Sequence, residues 1–184
     1  MSGVGSTEPP RRGGAGYARA GAGSFELRKL ELHDLNDIER IERESYPTPW
    51  SRSMFAGELA KPSSLSLGAF DRGSGALVGY LVISRYVDAW HVMNVAVAPE
   101  YRRRGVALML LQRLFELTSS DERRGYTLEV RVSNVGAIAL YERIGFVARG
   151  VRRGYYTDNR EDALIMWRDP VAEPKAEHEQ AEAG

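Results

Sequence analysis

The sequence predicts an α/β protein, a mixed central sheet of about seven strands flanked by about four helices, in the order β-α-α-β-β-β-α-β-α-β-β. Three observations carry that prediction. Runs such as "YTLEVRV" alternate with period two, as a strand with one buried face does. Runs such as "LNDIERI" and "NVGAIALYERI" place apolar residues three and four apart, as a helix with one buried stripe does. Clusters of Gly, Pro, Asn and Asp separate the two kinds of run.

Taken in order, Phe25 to Arg28 reads as a short first strand. Asp34 offers an N-cap for a helix whose stripe holds Leu35, Ile38 and Ile41. "YPTPW" ends that helix, because proline removes a backbone donor and clashes with the preceding turn. Ser51 can cap a second short helix running through Leu59. "SLSLGAFD" and "GALVGYLVISRYV" flank the turn "DRGSG" and read as a hairpin, and "AWHVMNVAVAP" is a further strand. "VALMLLQRLFELTSS" is apolar on most faces and reads as a well-buried helix.

The next strand, "YTLEVRV", sets Tyr126, Leu128, Val130 and Val132 against Thr127, Glu129 and Arg131. Asn134 is placed to cap a helix with Ala137, Ile138, Tyr141 and Ile144 on one stripe, and Gly145 supplies a left-handed stop. Two strands, "FVARGVRRGYY" and "DALIMWR", close the domain around "TDNRE".

The chain has 184 residues, so one domain with a real core is expected. It falls at residues 24–168. Residues 1–23 are rich in Gly, Ala, Ser and Pro and lack an apolar signal segment; they read as a disordered tail. Residues 169–184, "DPVAEPKAEHEQAEAG", read as an acidic disordered tail. Net charge is zero with 25 basic and 25 acidic residues, which argues against a polyanion-binding surface. "YRRRG" and "RGVRRG" are basic, yet few aromatics interleave with them, so no direct nucleic-acid partner is expected. There is no apolar run of membrane-spanning length, and no membrane partner is expected. The chain has no cysteine, which removes disulfides, thiolate metal sites and a cysteine nucleophile, and leans towards a reducing compartment. His33, His91 and His178 have no ligand spacing, so no metal is expected.

Two segments carry chemistry. In "NVAVAPEYRRRGVALMLL" a strand leads into a helix through Arg102, Gly105 and Ala107, spaced as [RQ]-x-x-G-x-[GA]. Small residues allow close backbone approach, and the unpaired N–H groups and dipole of the helix start suit a pyrophosphate. The same spacing is also that of a basic turn before a helix. It is neither G-x-G-x-x-G nor a P-loop. In "LEVRVSNVGAIALYERIGF" Glu129 and Tyr141 are polar groups within an apolar strand–cap–helix unit. On pattern alone Glu129 is an exposed strand residue paired with Arg131 or a neighbouring strand, and Tyr141 is a core aromatic.

Together "VAVAPEYRRRGVALML" and "LEVRVSNVGAIALYERIGF" resemble the acetyl-CoA-binding motifs of the GNAT superfamily of N-acetyltransferases. "PTPWS", "LEVRVSN", "AIALYERIGF" and "RRGYY…REDALIM" are most similar to its RimI-type N-terminal alanine acetyltransferases. The resemblance spans roughly residues 25–168 and implies the GNAT fold and acetyl-CoA as co-substrate. It implies that Val95, Ala96 and Val97 hold the pantetheine arm through backbone groups, and that Arg102, Arg103, Arg104, Gly105, Val106, Ala107 and Leu108 cradle the pyrophosphate. By the same resemblance Asn134 and Tyr141 contact the cofactor arm, Glu129 is the general base and Tyr141 the general acid. Ala107 stands where the family more often has glycine, and the stretch from Asp88 to His91 departs from the family's make-up. Tyr46 and Trp50 of the proline corner, with Tyr155 and Tyr156, are candidate walls of the acceptor groove.

Those roles suit the chemistry. Transfer from a thioester to an amine needs a free amine, a stabilised oxyanion and a protonated thiolate leaving group. A peptide α-amine has a pKa of about 7.7–8.0, so losing its proton near neutrality costs little, and a carboxylate such as Glu129 can take it directly or through one water. Without cysteine, direct transfer in a ternary complex is the simple route. The resemblance implies a cytoplasmic enzyme acting on the N-terminal alanine of small-subunit ribosomal protein eighteen; a monomer is favoured, and the sequence leaves the oligomeric state open. Other protein N-termini, lysines or small amines are alternative acceptors, and a non-catalytic acetyl-CoA-binding or ribosome-associated module is the alternative of another class.

Overall fold

The computed structural model describes residues 24–87, 89–121 and 125–170. The element order is β1 (Phe25–Lys29), α1 (Leu35–Ser45), α2 (Arg52–Ala60), β2 (Ser64–Asp71), β3 (Leu77–Arg85), β4 (Ala89–Val97), α3 (Val106–Thr118), β5 (Gly125–Arg131), α4 (Val135–Arg143), β6 (Val147–Arg152) and β7 (Ala163–Arg168). That is the order read from the sequence. The 1–23 tail and all of the acidic tail beyond Pro170 lie outside the described residues, as does Asp88.

The seven strands form one sheet in the order β1-β2-β3-β4-β5-β7-β6. Every neighbouring pair is antiparallel except β4 and β5, which run parallel. Their pairing is short. It covers Ala89–Val92 against Gly125–Leu128 and then stops, although β4 continues to Val97 and β5 to Arg131. An irregularity in the β3–β4 register falls at this point, where Val82 pairs Asn94 and Ile83 pairs Val92, leaving Met93 as the extra residue. A bulge of this kind bends the strand and increases its twist. Beyond Val92 the two strands therefore part, and the middle of the sheet opens.

The two faces are covered by separate apolar clusters. Val106, Leu110, Leu111 and Leu114 of α3 and Tyr141 of α4 pack with Leu81, Val92, Leu128 and Val130 on one face. Leu35, Ile38 and Ile41 of α1 and Phe55 of α2 pack with Tyr80, Val82 and Ala96 on the other. β3 is buried from Leu77 to Ser84 because helices cover both of its sides, which is why its sequence is nearly continuously apolar.

Local signals held at most boundaries. Ser51 Oγ accepts from the Met54 N–H, and Asn134 Oδ1 accepts from the Ala137 N–H at 3.2 Å, so both cap as expected. Gly145 has φ 93°, the left-handed stop after α4.

Four expectations need correction. Asp34 stands at the N-cap of α1 but does not cap it; its carboxylate takes Arg28 Nη1 and Nη2 at 2.9 and 2.7 Å and the Glu31 N–H at 2.9 Å. Val132 lies past the end of β5 and is exposed. The strand expected through "RRGYY" ends at Arg152, so Tyr155 and Tyr156 sit on the β6–β7 loop. α3 buries one face rather than most of its surface, and Leu117 is exposed.

Candidate active site

The opening between β4 and β5 sets the site. On the β4 side, Ala98 N–H donates to Val78 O of β3, and the alternation of an antiparallel ladder turns Val95 and Val97 away from β3 into the opening. Ala96 is not on that edge. Its side chain is buried against α1 and its carbonyl lies by Gly79, so only its two neighbours offer backbone groups. The outward carbonyls already have partners: the Tyr46 hydroxyl donates to Val95 O at 2.6 Å, and Arg102 Nε donates to Val97 O at 3.0 Å. Arg102 also donates from Nη2 to Ser45 Oγ at 3.2 Å. The Val95 and Val97 N–H groups therefore face the opening, an arrangement that suits an extended arm with amide carbonyls.

The turn after β4 is built for close approach. Arg103 at φ 63° and Gly105 at φ 84° are left-handed, and the helix begins at Val106. The first bond of α3 is Met109 N–H to Gly105 O, so the N–H groups of Val106, Ala107 and Leu108 have no partner within the helix. Free donors of this kind suit an anion, and Val106 offers only its backbone because its side chain is buried. The guanidinium of Arg104 lies over Tyr101 at 4.9 Å, and the Arg103 side chain is exposed at the mouth. Free first-turn donors and outward strand N–H groups fit a pyrophosphate joined to an amide-bearing arm. Asn134 is exposed, with its side chain committed to the α4 cap.

Glu129 is the first β5 residue past the last rung shared with β4. Its carboxylate, on a side chain only 10% exposed, is gripped on both oxygens, with His91 Nε2 at 3.0 Å from Oε2 and Arg152 Nη1 at 3.1 Å from Oε1. The His91 hydrogen bond outweighs burial and, with the positive charge of Arg152, holds this carboxyl below the usual glutamate range. The pairing with Arg131 does not form. Arg131 instead turns to the β6–β7 loop, meeting Asp158 Oδ1 at 2.9 Å and Glu161 Oε2 at 3.1 Å and lying 3.8 Å over the Tyr156 ring.

Tyr141 is buried, its ring 5.7 Å from Phe146. Burial pushes its phenol above the usual tyrosine range, so the proton stays on it through neutral pH. The phenols of Tyr46, Tyr141 and Tyr156 lie within electrostatic reach of one another, and Tyr156 within reach of Glu129. Burial likewise pushes Tyr156 up to about 12. The fold therefore gathers Glu129, Tyr141, Tyr46 and Tyr156 around one opening. Tyr155 stacks edge-on with Tyr156 at 5.2 Å and is exposed at the rim. Trp50 is not drawn in: its ring packs on Phe55 at 5.3 Å and its N–H donates to Glu42 Oε1 at 2.7 Å.

Four residues join the site or its supports without having been singled out for it in the sequence: His91, Arg152, Arg131 and Glu42. Glu42 is fully buried and accepts from the Trp50 N–H, the Tyr80 hydroxyl and Asn94 Nδ2. An acid on the stripe that begins Leu35, Ile38 was a legible signal for it. His91, Arg152 and Arg131 find their partners on other strands, which no local spacing reveals.

Comparison with known proteins identifies the family. Residues 35–146 match the model of the acetyltransferase (GNAT) family. The chain belongs to the GNAT family of acetyltransferases, and it is an N-acetyltransferase. Within that family it is similar to the RimI group. It is 37% identical over 148 residues to the ribosomal protein bS18-alanine N-acetyltransferase of Escherichia coli K12, covering 76% of this chain and 94% of that one. It is 40% identical over 126 residues to N-alpha-acetyltransferase RimI of Mycobacterium tuberculosis, covering 66% and 76% respectively. The crystal structure of the E. coli ribosomal-protein-S18-alanine N-acetyltransferase superposes with TM-score 0.75 at 32% identity, over 83% of this chain and 97% of that one.

Proposed function

We propose that the protein is an acetyl-CoA-dependent acetyltransferase of protein N-terminal α-amines, of the RimI type. Its acceptor is the N-terminal alanine of ribosomal protein bS18, reached in the cytoplasm. The observation that supports this reading best is the Glu129 carboxylate on the first β5 residue past the last β4–β5 rung, with the buried Tyr141 in the same cluster as Val92 and Leu128 of that rung.

Acetyl-CoA supplies the thioester. The first-turn N–H groups of α3 bind its pyrophosphate, and the Val95 and Val97 N–H groups align its arm. Glu129, a carboxylate throughout the neutral range, takes the proton of the acceptor ammonium or holds the water that does. Tyr141 keeps its proton and presents it to the departing sulfur. Tyr156 and the exposed Tyr155 line the approach from the β6–β7 loop. With no cysteine in the chain, no acetyl-cysteine enzyme forms, and the acetyl group passes directly between the two bound substrates. Positioning then supplies most of the rate.

The test is acetylation of a peptide with the bS18 N-terminus by wild type, Glu129→Gln and Tyr141→Phe, with acetyl-CoA binding measured separately. Each variant should bind acetyl-CoA normally and lose roughly 10²–10⁴-fold in turnover. Full turnover by either removes that residue from the chemistry. Peptides differing only at residue one decide the acceptor: equal rates for Ala, Ser and Met starts overturn the alanine assignment.

A further inference from the structure

His91 and Glu129 lie on the two strands that part. His91 is one residue before the last β4 residue that pairs with β5, and Glu129 is the first β5 residue beyond that rung. Where the backbone ladder ends, their side chains make the next tie, Nε2 to Oε2 at 3.0 Å. The other carboxylate oxygen meets Arg152 from β6, two strands away in the sheet.

These two partners are not equal. The His91 side chain is 21% exposed, has two rotatable bonds, and is flanked edge-on by the Tyr86 ring at 5.8 Å. The Arg152 side chain is 54% exposed on a long stem and also reaches over Tyr155, so solvent screens its hold. The carboxylate itself is only 10% exposed. Among the described residues, the charged and titratable groups facing the pair are Tyr86 from the β3–β4 turn, Arg152 from β6 and Tyr156 from the β6–β7 loop.

Resting on the reading of Glu129 as the base, we infer that His91 is the positioning residue that fixes the Glu129 carboxylate at the apex of the opening. An Nε2–H donor on Oε2 holds the carboxylate plane and favours its ionised form. The remaining lone pairs then face the acceptor amine. The imidazole does not itself touch the substrate in this role. A mere sheet-closing contact would stabilise the fold but leave the base's charge and turnover alone, and this separates the two roles.

The test compares wild type, His91→Leu and His91→Gln in thermal stability, steady-state kinetics and the titration of the Glu129 carboxyl followed by carbon-13 NMR. The carboxyl signal is assigned by its loss in Glu129→Gln. His91→Leu should lower kcat roughly 10- to 100-fold with little change in KM for acetyl-CoA, as expected for a misaligned group. It should also raise the Glu129 midpoint, because a donor to the charged form has gone. His91→Gln, which keeps a donor, should recover most of the lost kcat. The inference is overturned if His91→Leu keeps kcat within about twofold of wild type. It is equally overturned if turnover falls only with thermal stability while the Glu129 titration stays where it was. Undiminished turnover by Glu129→Gln would instead remove the base assignment, and the titration in His91→Leu would still report whether His91 sets that carboxylate's charge.

Discussion

The Tyr46 hydroxyl donates to the Val95 carbonyl oxygen across 2.6 Å, pinning the proline corner after α1 to the open edge of β4. In the proposed reading, this one bond joins the acceptor side to the strand that would align the cofactor arm. Tyr46→Phe removes the donor and leaves a carbonyl that must find water. The expected cost is about 0.5–1.5 kcal/mol of stability, with a drop in kcat/KM for the peptide. Denaturant melts and initial rates check it; unchanged kcat/KM would show that the corner moves freely of the site.

The Arg131 guanidinium is the brace of the β6–β7 loop. It binds Asp158 through Nη2 and Glu161 through Nη1 and stacks on Tyr156, while Glu161 also accepts the Ser133 N–H at 2.9 Å. Arg131→Met keeps the stem but leaves two solvent-accessible carboxylates without their partner, so the main expected effect is a looser β6–β7 loop rather than a large loss of stability. The loop carries Tyr155 and Tyr156, so KM for the acceptor peptide should rise while KM for acetyl-CoA stays. Parallel steady-state titrations of both substrates read this directly.

Several carboxyls are held below their ordinary range in the folded state. Asp34 is one, where hydrogen bonds from Arg28 and the Glu31 N–H overcome the opposing effect of burial. Asp158 is lowered by Arg131, and Glu129 by His91. Glu161 is lowered to about 2, chiefly by Ser133. Unfolding returns these groups to about 3.9–4.3, so just below that range the unfolded chain binds more protons. The stability they contribute is therefore full above about pH 5 and is lost as pH falls towards the folded midpoints. Denaturant midpoints between pH 3 and 7 should be flat at the top and fall at the bottom. Asp34→Asn should weaken that fall.

Gly125 opens β5 where the strand crosses the end of β7. A Cβ there would lie 2.8 Å from Arg168 O and 2.9 Å from Trp167 Nε1. Backbone cannot yield as a side chain tip can, so Gly125→Ala should cost about 1–3 kcal/mol of stability. A thermal melt within error of wild type would show that the β5–β7 ladder shifts to make room.

The sequence by itself determined what short-range chemistry controls. Two-residue alternation, helical stripes, the Ser51 and Asn134 caps, the Gly145 stop and the strand–turn–helix around Gly105 are each legible within a few residues, because each arises from neighbouring backbone and side-chain atoms. That was enough for the order of elements, and the motifs they carry were enough for the family. What only the tertiary structure decided is who meets whom across the sheet. Glu129 was read beside Arg131, its near neighbour on the strand, yet it pairs with His91 and Arg152 from β4 and β6. The reason is the placement of β5 between β4 and β7, with the bulge at Met93 ending the parallel pairing at Val92 and opening the gap in which Glu129 lies. The same distance in sequence hid the partners of Glu42, though its place on the apolar stripe was legible, and it hid the Tyr46 bond to Val95. Those contacts span from 8 to 52 residues, and only the packed sheet brings their ends together.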